Sequence, residues 1–326
     1  MAIQDYWILD KNAETNEKYG CRPNERSITE LLDSGIILIN KPSGPTSHQL
    51  TAWARNLLGL NRLGHGGTLD PFATGLLTLL CGKATKITNI VLNSNKSYVA
   101  VVRFENPVSK DDLTELLNSL NGDIYNVPPK ESAVKVQVRS RSIYSMNLLD
   151  LDDSGKVAII NLSCNAGTYV RTLTKDIGLL LGNNCDLIEL HRDMTGNFDE
   201  SMACTMHQLT DAVFLWQNQG DDRGLKCLMS PIEIILNKLP KIYVKDGAVS
   251  AVSHGAPLAK PGIVRAAKGI KKGDSVIILS LKEEAVAIAT LNVNSEDLVD
   301  MSSGQVATAQ SVLMVPGTYP QTWATK

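Results

Sequence analysis

Gly64-His65-Gly66-Gly67-Thr68-Leu69-Asp70-Pro71-Phe72-Ala73-Thr74-Gly75 packs four glycines, one acid, one proline and one histidine between two apolar runs. Glycine lets backbone approach a ligand and takes positive φ, and Pro71 fixes the exit from Asp70. A lone carboxylate held on such a loop suits a nucleophile or base better than a metal cage. Taken alone, the same residues also describe a tight turn carrying a solvated acid. The flanking sequence decides between the two.

On the N-terminal side, Gly35-Ile36-Ile37-Leu38-Ile39-Asn40 is a short apolar run that predicts a buried strand. Lys41 to His48 holds two prolines and a glycine and must turn. Ser47 is then placed to cap a helix whose apolar positions are Leu50, Trp53, Ala54 and Leu57, with Gly59 ending it. On the C-terminal side, Leu76–Cys81 is again strand-like, and Tyr98 to Val102 is β-rich. Ser109 opens a helix with Leu113, Leu116, Leu117 and Leu120 on one face and Gly122 as its stop.

Ala133–Arg141 alternates Val134, Val136 and Val138 with polar residues, the pattern of a half-exposed strand, and Val157–Cys164 predicts another. Ala166-Gly167-Thr168 leads into a helix striped by Val170, Leu173, Ile177, Leu180 and Leu181 and closed by Gly182. Near Pro240 the texture changes to short β-branched runs and glycine turns, such as Asp274–Leu281 and Ala285–Leu291. The expected fold is therefore α+β: a mixed sheet with flanking helices, then a small β-rich module beginning at 237–241. No Walker loop is present, and no Gly-x-Gly-x-x-Gly follows a strand and opens a helix, which argues against nucleotide-cofactor folds.

The 326 residues are enough for two domains, and 43% hydrophobic with 20% charged residues is an ordinary globular balance. No run approaches the apolar length of a membrane helix, and the start lacks a signal-peptide layout, so a cytoplasmic protein is expected. The six cysteines form no Cys-x-x-Cys pair, which predicts neither a zinc site nor disulfides. Net charge is only −2, yet basic residues cluster. From Gly35 to Lys86 there are five Lys/Arg against Asp70 alone, and from Lys241 to Lys282 eight against two acids. Two basic zones on a near-neutral chain would meet a phosphate backbone locally, or be solvated faces.

With these motifs in hand, the chain resembles the TruB/dyskerin pseudouridine synthases. Gly64–Gly75 is similar to their catalytic-loop motif, and Asn40-Lys41-Pro42-Ser43-Gly44-Pro45-Thr46-Ser47-His48 precedes it at the family distance. Lys96-Ser97-Tyr98-Val99-Ala100 resembles a second motif, and Ala166-Gly167-Thr168-Tyr169-Val170-Arg171-Thr172-Leu173 a third. Ile188-Glu189-Leu190-His191-Arg192 falls where the family has its Glu-Leu-Arg-Arg segment. The tail from Leu239 resembles a PUA RNA-binding domain, with a small β-barrel-like fold. Tyr19-Gly20-Cys21-Arg22-Pro23-Asn24-Glu25-Arg26 and the end Met314…Tyr319-Pro320…Trp323 resemble the archaeal and eukaryotic branch. Phe72 and Lys175-Asp176-Ile177-Gly178 are closer to the bacterial one.

The resemblance implies three regions: an extension over 1–34 packing on the PUA domain, a synthase domain over 35–238, and a PUA domain over 239–326. It implies Asp70 as the nucleophilic carboxylate, Arg171 as its partner, Tyr98 stacked on the target base, Tyr169 as a pocket acid/base, and Leu190 as an apolar wall. His65 is a candidate contact to phosphate or to the flipped base. Lys41 and Arg62, with Lys268, Lys271 and Lys272 of the PUA region, are expected on the RNA backbone. No cofactor or metal is implied. The activity implied is guide-RNA-directed isomerisation of ribosomal uridine in an H/ACA-type ribonucleoprotein with small proteins, one of them zinc-bearing. A stand-alone enzyme on the tRNA T-loop is the alternative, and an RNA-binding scaffold without turnover a further one.

Overall fold

The computed structural model describes residues 5–128 and 137–321. Residues 133–136 of the strand expected over Ala133–Arg141, and Trp323 of the chain-end motif, lie outside the described residues, while Arg139–Arg141 begin the strand Arg139–Leu151. The residues form two compact units, one from the described parts of Met1–Ile36, Cys81–Ile87 and Met229–Lys326, the other from Ile37–Leu80 and Thr88–Leu228. Among the described residues no helix is long and apolar enough to cross a membrane.

The second unit is built on a mixed sheet. Its strands run in the spatial order Gly35–Lys41, Thr74–Cys81, Cys185–Thr195, Lys96–Phe104, Val157–Cys164, Arg139–Leu151 and Gly122–Asn126. Most neighbours are antiparallel, but Thr74 and Gly75 pair in parallel with His191 and Arg192. Tyr98 and Ala100 lie on the central strand, and Ala100 faces Leu190 across the ladder. The helix Val170–Leu180 sends Val170, Leu173 and Ile177 into a core that also holds Leu69, Ala73, Tyr98 and Leu190. The functional loop is thus anchored in the main core at both Leu69 and Ala73.

Thr46 and not Ser47 caps the helix Ser47–Leu57. Its hydroxyl accepts from the Gln49 N–H, and the Gln49 side chain answers at the Thr46 N–H. Ser47 is spent elsewhere. Its hydroxyl accepts from Leu69 N at 2.9 Å and donates to Leu69 O at 3.1 Å, clamping the residue before Asp70. Trp53, expected on the buried face, is 54% exposed, because Leu50 and Ala54 already fill the stripe that meets the sheet.

The first unit carries a second sheet, ordered Tyr6–Ile8, Ile263–Ala267, Lys241–Val244, Ser275–Leu279, Ala285–Leu291, Gln305–Val312 and Leu258–Ala259. Tyr6–Ile8 is a strand that polar surroundings hide in the sequence; it pairs antiparallel with Arg265–Ala267. Residues 16–21 are tied down by buried polar groups. Lys282 donates to Tyr19 O at 2.8 Å, and Glu284 accepts from Cys21 N at 3.1 Å and from the Tyr319 hydroxyl at 2.5 Å. Helix Ile28–Ser34 opens with a Ser27–Glu30 capping box.

Candidate active site

Asp70 sits where the glycine loop turns into Pro71. The turn is closed by Ala73 N donating to Asp70 O at 3.1 Å and by Gly44 N donating to Pro71 O at 2.8 Å. Arg171, in the first turn of the helix Val170–Leu180, brings Nη2 to 2.5 Å from Asp70 Oδ2. Both side chains keep roughly a third of their surface open, so the pair is accessible from solvent. The Arg171 guanidinium also lies 5.8 Å from the Phe72 ring centroid.

Beneath the pair, Tyr98 and Leu190 are buried in the same core as Leu69 and Val170. Burial pushes the Tyr98 phenol above its ordinary pKa, while the positive charge of Arg192 pulls the other way. Tyr169 is the residue at the head of the Arg171 helix. Buried Asn126 fixes its backbone, accepting from Tyr169 N at 2.8 Å and donating to Tyr169 O at 3.4 Å. Tyr98, Arg171, Leu190 and Asp70 are therefore gathered from four separate stretches, with Tyr169 held two residues from Arg171.

His65 stacks edge-on against His48, with ring centroids 4.8 Å apart. Burial first, then His48 and Arg192, pull its imidazole down to about 4, so it is neutral at physiological pH.

Lys41 requires a correction. It is fully buried and donates to Pro42 O, Pro71 O and Ala73 O at 2.9, 3.1 and 2.8 Å. All three ammonium protons are used within the protein, so none is left for an RNA phosphate. Lys41 instead ties the turn at Pro42 to both sides of Phe72. Burial lowers its pKa, and the nearby Asp70 carboxylate acts in the opposite sense. Arg62, by contrast, is exposed. In the other unit Lys268, Lys271 and Lys272 are exposed as expected of backbone contacts, with the Lys268 ammonium 4.8 Å from the Trp7 ring centroid.

Sequence reading missed Ser47, Lys96 and Arg192 as individual site residues. Lys96 is buried and donates to Val91 O, Leu92 O and Ser94 O, holding the end of the preceding helix against the start of the Tyr98 strand. Burial, and then Arg192, lower its pKa to about 8. For Lys96 the available signal was a cation at the head of a mostly apolar strand, before Tyr98-Val99-Ala100; the strand of Arg192 also carries Asp186, Glu189, His191 and Asp193 and gave no such signal.

Comparison with known proteins agrees with this geometry. Residues 55–170 match the TruB family pseudouridylate synthase N-terminal domain, 171–237 the tRNA pseudouridylate synthase B C-terminal domain, 240–313 a PUA domain, and 3–51 a DKCLD domain. A protein of Methanopyrus kandleri named "Probable tRNA pseudouridine synthase B" is 41% identical, covering 98% of this chain and 94% of its own. A protein of the same name from Archaeoglobus fulgidus is 38% identical over 99% of this chain and 98% of its own. Among solved structures, a chain of an H/ACA RNP bound to a substrate RNA containing 2'-deoxyuridine superposes with TM-score 0.90 at 35% identity, covering 98% of both chains. A chain of a Cbf5-Nop10-Gar1 complex gives 0.88 at 36% identity, covering 98% of this chain and 97% of that one. Fold and sequence together define an RNA pseudouridine synthase. Within that class the chain belongs to the TruB family, in the form that carries a PUA domain.

Proposed function

We propose that Asp70 is the nucleophile that isomerises an extruded uridine of RNA to pseudouridine. The observation that carries this reading is the open Asp70–Arg171 pair above the Tyr98–Leu190 floor. The reaction breaks the C1′–N1 bond, turns the freed uracil and forms a C1′–C5 bond. C5 gives up one proton and N1 gains one, so the product is an isomer and the balance needs no external electrons or co-substrate. Asp70 supplies the anion at the ribose or the ring. Arg171 keeps it ionised and aimed. Tyr98 and Leu190 hold the base, and Tyr169 is the candidate to move the proton. The uridine must leave its stack to reach the loop. The intact acid–arginine pair speaks against an RNA scaffold without turnover.

On this reading the PUA region, 239–326, adds salt-sensitive RNA affinity through Lys268, Lys271 and Lys272, the exposed Arg62 does so from the synthase domain, 35–238, and 1–34 is an extension of the PUA domain. The likeness to chains solved with Nop10, Gar1 and H/ACA RNA, over nearly the whole length, supports a guide-RNA-directed enzyme with small protein partners; that its target is ribosomal RNA, that one partner bears zinc and that it works in the cytoplasm complete the proposal from the family resemblance. The curated relatives' name favours a second reading, direct action on the tRNA T-loop. Purified protein is incubated with tRNA and with a guided ribosomal fragment, with and without guide RNA and partners. Product on the guided fragment alone supports the first reading, and product on tRNA without guide the second. Product with Asp70→Asn would remove both.

A further inference from the structure

We infer that Arg192 is a positioning residue for the isomerisation, stapling the Asp70 loop shut from below through two backbone carbonyls. Its side chain lies on the strand Cys185–Thr195 and is 1% exposed. Nε donates to Leu76 O at 2.8 Å, and Nη2 to Gly67 O at 3.0 Å. Gly67 precedes Asp70 and Leu76 follows it, so one planar guanidinium spans both ends of the catalytic loop. Among the described residues no carboxylate pairs with it. A buried cation without a counter-ion is an expensive way to hold a loop, and hydrophobic packing would serve stability better.

Two glycines fit closely around Arg192, one against its backbone and one against its guanidinium. Gly75 lies against the Arg192 backbone so closely that a Cβ there would stand 2.3 Å from Arg192 O. Gly67, at φ +103, faces Nη1. The planar fork is what makes the staple possible. A lysine carries the same charge on a single nitrogen and cannot meet these two carbonyls from two separate donors fixed in one plane, as Nε and Nη2 do. The role assigned here is geometric and rests on the reading of Asp70 as nucleophile.

The test compares wild type, Asp70→Asn, Arg192→Lys, Arg192→Gln and Leu225→Ala, the last removing a buried side chain outside the core around the loop. Tritium release from 5-tritiated uridine RNA under single-turnover conditions gives the rate, filter binding gives the RNA affinity, and thermal melting gives stability. The expected result is a rate about 100-fold lower in Arg192→Lys, with RNA affinity held within about threefold, because loop misplacement affects the reacting atoms and not the backbone contacts. Arg192→Gln is slower still, and Leu225→Ala keeps the wild-type rate below its melting temperature. A wild-type rate in Arg192→Lys overturns the inference, as does the same rate loss in an equally destabilised Leu225→Ala. If Arg192→Gln does not fold, Arg192→Lys carries the test by itself. Turnover by Asp70→Asn, or none by wild type, would instead sink the reading of the site.

Discussion

Arg171 Nη2 lies 2.5 Å from Asp70 Oδ2, and both side chains remain partly open to solvent. A half-exposed ion pair contributes on the order of 0–1 kcal/mol to folding, so its worth lies in aiming the carboxylate. Arg171→Ala should therefore melt within a few degrees of wild type while its single-turnover rate falls by about 100-fold or more. Asp70→Asn should bind RNA normally and form no pseudouridine. A large drop in melting temperature for Arg171→Ala would show that the pair is structural.

Salt dependence separates Lys41 from the exposed lysines. Lys41 donates to three carbonyls in the interior, whereas Lys268, Lys271 and Lys272 stand in solvent. Replacing those three by Ala should reduce the slope of log affinity against log salt by about 2 if each meets one single-stranded phosphate. Lys41→Met should leave the slope unchanged and lower both stability and rate, since it leaves buried carbonyls unpaired. A reduced slope in Lys41→Met would restore it as a phosphate contact.

What the sequence disclosed about the site follows from which links are local. The glycine loop, the apolar stripe of the Arg171 helix and the strand around Tyr98 are short-range patterns, and each occupies its expected stretch, although Leu180 of the stripe turns out exposed. The pairing of Asp70 with Arg171 is long-range and was legible only through family resemblance. Ser47 shows the limit clearly. As an isolated hydroxyl after a proline turn it reads as a helix cap, but Thr46 takes that position and Ser47 binds Leu69 across the fold. Lys41 misleads in the same way, because a cation in sequence looks solvent-bound until carbonyls from a distant turn enclose it. The strand Tyr6–Ile8 exists only because Ile263–Ala267 offers it an edge.

His65 makes stability depend on acid. Its folded pKa is pulled to about 4, below the ordinary histidine value, by burial, by His48 and by Arg192. Between roughly pH 6.5 and 4 the unfolded chain takes up the proton first, so stability should fall as pH falls through that window and be unaffected above it. With a discount for partial exposure, the contribution is on the order of 2 kcal/mol. Urea unfolding at pH 7 and pH 4.5 should show a smaller loss in His65→Phe than in wild type. Equal losses would mean that the imidazole is free to protonate in the folded loop.

Gly75 and Gly44 have similar backbone angles, φ +101 and +114, but different surroundings. A Cβ on Gly44 meets nothing within 4 Å, while one on Gly75 would press on Arg192 O at 2.3 Å and Arg192 N at 2.7 Å. Both alanine variants bear the strain of a positive φ, about 1–2 kcal/mol. Gly75→Ala must in addition part the two-residue parallel ladder that joins Thr74 and Gly75 to His191 and Arg192. Its unfolding free energy should drop by about 3 kcal/mol or more, against about 1–2 for Gly44→Ala. Its turnover should collapse with the ladder, because that contact seats Arg192 under the catalytic loop. Equal destabilisation of the two variants, or an active Gly75→Ala, would show that strand Thr74–Cys81 can slide away from Arg192 without disturbing Asp70.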